Sequence, residues 1–420
     1  MIGEVKMGKS EFFSDLWRTS TDPNWAKEHD PSNPEAVLGL ASEFGCGSDG
    51  PDCPPGWGAN KDQEASNGLL GYHEADFGEP FLKIGVGKLV KGSCDWSYKE
   101  QTCATDPNYH FNSNYKFAEQ PVWIVGNQSS DHMEMVHFAS LDSGWAYRLH
   151  RTVQLYGNLL VMKSKLINTG TRKFTTVQFT HNFLAIDRKQ INTPLQLRFG
   201  QDLSQSEEPG LKQGWSVPLA SRFQFTAPNL LSASKPLPEG GQRQSILAQF
   251  KEDVNLNASA SYIASMGGPA VVSVASSSQP LYGLKFFAQV TAACPEPLQQ
   301  ISLAPGESAR WQQRLAFSEH GVSSALGSFF RGVNNFSGRG HACRGANPSD
   351  KATQYFKVST TESLEECLQR CLFHSNCKGV GYQDSGRCEI WTRPEGISAS
   401  KPKQGYHCLK FVMPEDMPGL

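Results

Sequence analysis

Residues 147–183 read YRLHRTVQLYGNLLVMKSKLINTGTRKFTTVQFTHNF, and apolar side chains alternate with polar ones through much of this stretch. Turn residues interrupt the alternation twice, at Gly157-Asn158 and at Asn168-Thr-Gly170. Alternation with a period of two residues is typical of half-buried β-strands, and short polar turns between such strands favour antiparallel pairing. The stretch therefore predicts three consecutive antiparallel strands, which are Tyr147–Leu155, Leu159–Ile167 and Phe174–Phe183.

The same pattern extends over most of the chain. From Phe81 to about Phe317, short β-like segments are separated by turn residues, and no long helical periodicity lies between them. The later segments of this kind are Ala270–Val274, Leu281–Thr291 and Ala309–Phe317. The sequence is therefore mainly β and favours a large antiparallel β-sandwich over an alternating βα fold.

Length and charge limit the class of protein. The chain has 420 residues, a formal net charge of −2 and 19% charged residues. This length predicts two or three domains, because one core rarely organises so many residues. The weak charge argues against a nucleic-acid partner, and no apolar run approaches the roughly 20 residues that span a bilayer. No membrane span, cofactor or metal is predicted.

Cysteine content points to an oxidising compartment. The chain has 11 cysteines, and six of them lie between Cys343 and Cys408. Such a density predicts a disulfide framework and an extracellular or cell-surface location. Asn-x-Ser sequons at Asn127, Asn257 and Asn335 agree with a secreted glycoprotein. The first residues, MIGEVKMGKSEFFSDLW, lack the apolar core of a signal peptide and so point the other way.

Composition also divides the chain into parts. We expect an irregular N-terminal extension, the β-sandwich, a Ser- and Gly-containing linker, a small disulfide-rich α+β domain and a short tail. These parts are residues 1–40, 41–320, 321–340, 341–412 and 413–420.

The small domain contains the first strong helix signal. Ser359 and Glu362 have the spacing of a capping box. Apolar residues and cysteines then follow the i, i+3, i+4, i+7, i+8 pattern of one helix face, at Leu364, Cys367, Leu368, Cys371 and Leu372. Two cysteines one turn apart could fasten this helix to its neighbours, and a domain of this size needs such links.

The segment ESLEECLQRCLFHSNCKGVGYQDSGRCEIW resembles the PAN/Apple family. Six cysteines alone permit 15 pairings, so spacing cannot choose among them. The resemblance implies the pairs Cys367–Cys388, Cys371–Cys377 and Cys343–Cys408, and a protein or glycan partner for the domain. A metal site is the alternative, but Cys-x2-Cys knuckles are absent. Outside the domain, Cys46 with Cys53 and Cys94 with Cys103 are candidate local pairs, which leaves Cys294 as an odd, buried thiol.

The larger region is similar to the galactose mutarotase (aldose 1-epimerase) superfamily, which implies a supersandwich and a sugar cleft. The resemblance depends on short motifs that occur in order over about residues 40–318. These motifs are Glu43-Phe44, Gly71-Tyr72 with Glu74-Ala75, GEPFLKIGVG at 78–87, LINTG at 166–170, THNF at 180–183 with Asp187, and LAPGE at 303–307 before Trp311.

The chemistry implied by this resemblance needs an acid and a base. Mutarotation removes the proton of the anomeric hydroxyl and protonates the ring oxygen, and histidine suits both roles near neutral pH. His181 shares strand parity with Val177, Phe179 and Phe183, so we expect it to face inward. The resemblance implies that His181 is the acid, and a structural core histidine is the alternative. His110 is a second candidate, with a surface-loop histidine as its alternative.

The expected catalytic glutamate is missing from its strand. The late strand GLKFFAQV, residues 283–290, contains no acid. Gln289 could bind a hydroxyl but could not act as a base, whereas Glu296 could replace the base if its loop folds back. The remaining candidates for sugar contacts are Asn182, Lys83, Arg148 and Trp123, although aromatic residues in sandwich strands usually belong to the core.

Three functions remain open at this stage. The absent acid favours a carbohydrate-binding protein that keeps a sugar cleft without full catalysis. An aldose 1-epimerase-like isomerase that uses histidine acid–base chemistry is the second possibility. The third is an extracellular adhesion or matrix protein in which the sandwich serves as a scaffold. A carbohydrate, either a hexose or a glycan, is the expected partner in the first two.

Overall fold

The computed structural model places the described residues in antiparallel sheets with little helix. The residues that the structure describes are 5–7, 10–13, 40–45, 68–95, 97–98, 101–107, 109, 114–189, 191, 194–200, 211–214, 222–236, 244–249, 261–277, 281–289, 292–333, 338–351, 353–374 and 376–412. The prediction of a mainly β chain is confirmed.

The largest sheet has ten strands in the order β16-β17-β14-β19-β20-β23-β12-β11-β10-β9. Their bounds are β9 Trp123–Gln128, β10 His132–Ser140, β11 Ala146–Tyr156, β12 Leu159–Asn168, β14 Leu195–Phe199, β16 Phe223–Ala227, β17 Leu230–Ala233, β19 Tyr262–Met266, β20 Val271–Ser277 and β23 Ser308–Ser318. The predicted hairpin at Gly157-Asn158 joins β11 to β12, whose register pairs Tyr156 with Leu159.

A second sheet has six strands in the order β15-β18-β21-β22-β13-β3. Their bounds are β3 Leu40–Phe44, β13 Phe174–Asn182, β15 Leu211–Gly214, β18 Gln244–Gln249, β21 Leu281–Gln289 and β22 Ala292–Leu303. Shorter strands form three further small sheets, which are β1 Val5–Met7 with β2 Ser10–Phe13, β4 Leu69–Leu70 with β5 Pro80–Lys83 and β6 Gly87–Val90, and β7 Ser97–Tyr98 with β8 Gln101–Thr102.

Apolar side chains from the two large sheets form a common core. Leu197, Tyr262, Val272 and Leu315 of the ten-stranded sheet are fully buried in one cluster with Phe286 of the six-stranded sheet. Burial of each such side chain stabilises the fold by about 1.5–3 kcal/mol. The alternating pattern of the sequence therefore corresponds to one face of each strand packing against the opposite sheet.

The turn predicted at Asn168-Thr-Gly170 is built around the Asn168 side chain. Its Nδ2 donates to Arg172 O at 2.8 Å and to Leu303 O at 3.0 Å, and its Oδ1 accepts from Gly170 N at 3.0 Å. A Cβ at Gly170 would lie 2.3 Å from Gly144 O, so only glycine fits there. The turn fixes the crossing from β12 to β13.

The C-terminal domain has its own sheet in the order β24-β29-β27-β28-β26, with β25 paired to β29. The bounds are β24 Phe330–Gly332, β25 Arg339–Arg344, β26 Phe356–Thr360, β27 Gly379–Gln383, β28 Arg387–Trp391 and β29 Ala399–Phe411. Disulfides join Cys343 to Cys408, Cys367 to Cys388, and Cys371 to Cys377, which are the pairs that the PAN/Apple resemblance implies. Cys94 is joined to Cys103, whereas Cys46 and Cys53 lie outside the described residues.

The helix of this domain runs over Leu364–Leu372 and begins later than its predicted cap. Ser363 is the N-cap, and its Oγ accepts from Glu366 N at 3.1 Å. The prediction of a cap at Ser359 with Glu362 was wrong, because Ser359 lies within β26 and pairs with Cys388. The predicted apolar face is present, with Cys367, Leu368, Cys371 and Leu372 buried.

The stretch 321–340 connects the two parts of the chain. It contains the helix Val322–Gly327 and the strand β24, which pairs with β29. Its buried Phe329 lies in an apolar cluster with Val161 and Val271 of the sandwich and with Leu368 of the C-terminal helix. The sandwich and the C-terminal domain therefore share a core at this point.

Candidate active site

The β13–β22 register brings His181 and Glu296 together. Phe174 pairs with Leu303, and the bridge between Leu184 and Ala293 continues the same register beyond the end of β13. This constant register puts His181 directly opposite Glu296. Glu296 thus lies in a strand, so the expectation that a loop must fold back to bring it near was wrong.

A third residue reaches the cluster from the other neighbour of β13. The β13–β3 register pairs His181 with Ala41 and Phe179 with Glu43, so Glu43 is a diagonal neighbour of His181. Directly opposed and diagonal side chains on one face of an antiparallel pair lie close enough to interact. Three residues that are far apart in sequence therefore meet on one face of the six-stranded sheet.

The His181 ring bridges the two carboxylates. Its Nδ1 lies 2.8 Å from Glu296 Oε1, and its Nε2 lies 2.8 Å from Glu43 Oε2. The side chains of His181 and Glu43 are 17% and 20% exposed, whereas that of Glu296 is 1% exposed. Solvent or a ligand can thus reach His181 and Glu43, while Glu296 holds the ring from the buried side.

This arrangement favours the imidazolium form of His181. Burial alone would lower the pKa of His181, but the Glu296 carboxylate, followed by that of Glu43, raises it to about 9. Both ring nitrogens donate in the charged form, and each has a carboxylate acceptor. His181 is therefore protonated at neutral pH.

Lys83 of β5 adds a second cation to this group. Its Nζ donates to Phe44 O at 2.6 Å and lies 3.7 Å from Glu43 Oε1. Burial lowers the pKa of Lys83, and the Glu43 carboxylate opposes that change. Two cations and two carboxylates therefore balance one another in the cluster of Glu43, Lys83, His181 and Glu296, which we call the His181 cluster.

Aromatic rings cover His181 on its own strand face. Phe183 stacks on the His181 ring with centroids 5.3 Å apart and an interplanar angle of 5°, and Phe179 meets it edge-on at 5.0 Å. The strand parity expected from the sequence is present. This face nevertheless turns away from the ten-stranded sheet, because the adjacent residue Asn182 accepts from Gln313 Nε2 across the sandwich at 3.3 Å.

A buried thiol lies beside the cluster. Cys294 is fully buried outside the four disulfides of the described residues, and its Sγ donates to Glu296 Oε1 at 3.1 Å. One donor atom each from His181, Cys294 and Glu296 lies within 4.8 Å of the others, so these three residues could hold a metal ion. The same atoms hydrogen-bond one another, which satisfies them without one.

Other predicted sugar contacts lie elsewhere. Asn182 is fully buried between the sheets, where its Nδ2 also donates to Pro295 O at 3.2 Å. Arg148 is exposed, with its guanidinium 6.0 Å from the Phe138 ring. Trp123 stacks on His137 at 4.8 Å and packs against the core. The structure brings none of these three to the His181 cluster.

The side chains of two predicted site residues lie outside the described part of the structure. His110 lies outside the described residues, and of Gln289 the structure describes only the backbone, which pairs with Ala292. Sequence reasoning, in turn, did not assign Glu43 to the site. Glu43 stood in a quoted motif, but nothing local signals that its strand lies beside β13.

Comparison with known families supports the C-terminal assignment. Residues 348–408 match the family model described as the PAN domain. No curated protein sequence matches the chain significantly.

Solved structures similar to the chain include galactose mutarotase-like proteins and putative aldose 1-epimerases. A putative aldose 1-epimerase of Escherichia coli K12 is 13% identical, with a TM-score of 0.39, and the match covers 76% of this chain and 99% of that chain. A galactose mutarotase-like protein of Clostridium acetobutylicum is 12% identical, with a TM-score of 0.36 and coverage of 73% and 85%. A protein of Synechocystis sp. PCC 6803 is 14% identical, with a TM-score of 0.32, and the match covers 47% of this chain and 66% of that one.

Among the described residues, no helix is both long and apolar enough to cross a membrane.

Proposed function

We propose that the sandwich binds a carbohydrate at the His181 cluster and that the PAN domain contributes a second contact, to a protein or a glycan. The protein then acts outside the cell or at the cell surface. The observation that carries the proposal is the 2.8 Å contact between His181 Nε2 and Glu43 Oε2, two side chains that both remain partly exposed.

The chemistry of this contact suits a sugar. Each sugar hydroxyl can donate one hydrogen bond and accept others, so it is matched by a charged donor next to a charged acceptor. A sugar hydroxyl would replace the direct contact between the two side chains, accepting from His181 Nε2 and donating to Glu43, while the buried Glu296 keeps the ring in position from behind. The stacked Phe183 adds an apolar surface beside them.

A second candidate function is anomer interconversion by an aldose 1-epimerase-like isomerase. The specific observation is that a protonated imidazole and a carboxylate lie side by side where both can be reached. Glu43 would take the proton of the anomeric hydroxyl, and His181 would protonate the ring oxygen as the C1–O5 bond breaks and C1 becomes an aldehyde. After rotation about the C1–C2 bond, His181 would take its proton back from the O5 hydroxyl as the C1–O5 bond re-forms on the other face, and Glu43 would return its proton to the former carbonyl oxygen.

A binding experiment tests the proposal. His181→Asn and Glu43→Gln should each weaken galactose or glucose binding by about 1–3 kcal/mol in isothermal titration calorimetry, because a charged hydrogen-bond partner of the sugar is lost. Lys351→Ala changes an exposed residue and serves as the control. The unfolding free energy of each variant is measured in parallel. Unchanged affinity in both stable variants would exclude the His181 cluster as the sugar site.

Polarimetry on freshly dissolved α-galactose and α-glucose separates binding from catalysis. If the protein is an isomerase, it should interconvert the anomers faster than buffer alone. Glu43→Gln should then slow this catalysed interconversion by about 10²-fold or more, the scale of general acid–base catalysis. A binding protein should show the buffer rate already in the wild type. In the third possibility, that of a scaffold, neither binding nor catalysis is observed at the sandwich.

A further inference from the structure

A cavity lies between the two large sheets, on the side of β13 opposite the His181 cluster. It has a volume of about 50 Å³ and is lined by Ser42 and Thr180 from the six-stranded sheet. Arg151, Ser164, Trp311 and Gln313 line it from the ten-stranded sheet. The cavity is thus distinct from the His181 cluster.

Arg151 places a positive charge at this cavity. Its Nη2 donates a long hydrogen bond of 3.4 Å to Ser42 O, and its guanidinium lies 5.7 Å from the centre of the Trp123 ring. The Nε atom is shielded from solvent and has no hydrogen-bond partner. No carboxylate of a described residue lies within salt-bridge distance of Arg151.

A half-buried guanidinium whose Nε is shielded from solvent is costly without an anion beside it, since shielded charges are normally paired. Burial lowers the pKa of Arg151 to about 10, because the charged form is less stable away from water. An anion bound in the cavity would stabilise the charged guanidinium and offset this loss.

The hydroxyl groups of Ser42 and Thr180 can donate hydrogen bonds to a ligand in the cavity. Gln178 Nε2 donates to Ser42 Oγ at 3.2 Å and to Thr180 Oγ1 at 3.4 Å. Since each oxygen already accepts a hydrogen bond from an amide, each hydroxyl hydrogen can be directed to a ligand. A cation and two hydroxyl donors therefore surround the cavity.

We propose that Arg151, Ser42 and Thr180 bind a small carboxylate-sized oxyanion in this cavity. A cavity of about 150 Å³ accommodates benzene, so one a third of that volume excludes a sugar ring and admits only a few heavy atoms. The planar fork of the guanidinium matches the two oxygens of a carboxylate. Formate and acetate are the simplest ligands of this class.

Thermal unfolding of the full chain with formate or acetate tests the proposal, with sodium chloride as the reference salt at equal ionic strength. Both carboxylates should raise the Tm of the wild type in a saturable manner. Arg151→Met should abolish this response. Thr180→Val removes one hydroxyl donor and should raise the Kd for formate about tenfold. Lys351→Ala should respond like the wild type.

The behaviour of Arg151→Met without added carboxylate is a second readout. Replacing an isolated charge with an apolar side chain of similar length should leave the Tm unchanged or raise it. A Tm of the wild type that does not differ among formate, acetate and chloride would overturn the proposal. So would a lower Tm of Arg151→Met that formate still raises as in the wild type. If Arg151→Met does not fold, Thr180→Val and Arg151→Lys provide the same comparison.

Discussion

The protonation of His181 makes stability depend on pH in a direction that can be worked out. The pKa of His181 is about 9 in the folded protein and about 6.5 in an unfolded chain. A folded-state pKa above the unfolded value contributes stability that is fully present below pH 6.5. This contribution is lost as the pH rises through about 9.

The magnitude follows from the same two values. Each pH unit between them corresponds to about 1.4 kcal/mol, so the wild type should lose about 3 kcal/mol of unfolding free energy from this group between pH 6 and pH 10. The 17% exposure of His181 allows some solvent screening, so this figure is an upper estimate. His181→Asn removes the titrating group and should flatten this part of the profile.

Urea unfolding at a series of pH values provides the measurement, with Lys351→Ala as the control that keeps the wild-type profile. Glu296→Gln should shift the loss to lower pH, because it removes the carboxylate that raises the pKa of His181 most. NMR titration of the imidazole resonances reports the same pKa directly. A His181 resonance that titrates near pH 6.5, or the same pH profile in His181→Asn, would refute the reasoning.

Three further predictions concern stability. Removal of the Cys367–Cys388 disulfide by a double alanine substitution should lower the free energy of unfolding by about 3 kcal/mol, measured by urea unfolding. An unchanged urea midpoint would show that this disulfide does not stabilise the fold. Phe329→Ala should lower the free energy of unfolding by about 3–5 kcal/mol, because Phe329 is fully buried in the core shared by the sandwich and the PAN domain. A loss below about 1 kcal/mol would show that this core is not tightly packed. A fragment that ends at Gly321 exposes that cluster and should unfold at lower urea concentration than the full chain, whereas an equal midpoint would support an independent sandwich.

Local sequence patterns predicted much of the fold. The three strands in residues 147–183 are present to within one residue at either end, because alternation and turn chemistry act over a few residues. The buried face of the helix Leu364–Leu372 was visible for the same reason. The cap was misplaced because Ser359 and Ser363 both precede a suitable glutamate three residues on, and the pairing of β26 with β28 decides between them.

The candidate site could be predicted only in part. The alternation of β13 set the parity of His181, and the motif resemblance singled it out. Asn182 was a plausible sugar contact in sequence, yet adjacent strand residues point to opposite faces, and the packing of the second sheet buries Asn182 between the layers.

The amino-acid sequence by itself determined the strands, the cysteine spacing of the PAN domain and the residue types available for chemistry, since all of these are local properties. Only the tertiary structure decided that Glu43 and Glu296 meet His181, because strand order and register join segments from opposite ends of the sandwich. The same holds for the two arginines of β11. Arg148 is exposed, whereas Arg151 is half-buried and lines the cavity between the sheets, because alternate side chains of one strand face solvent and the opposite sheet.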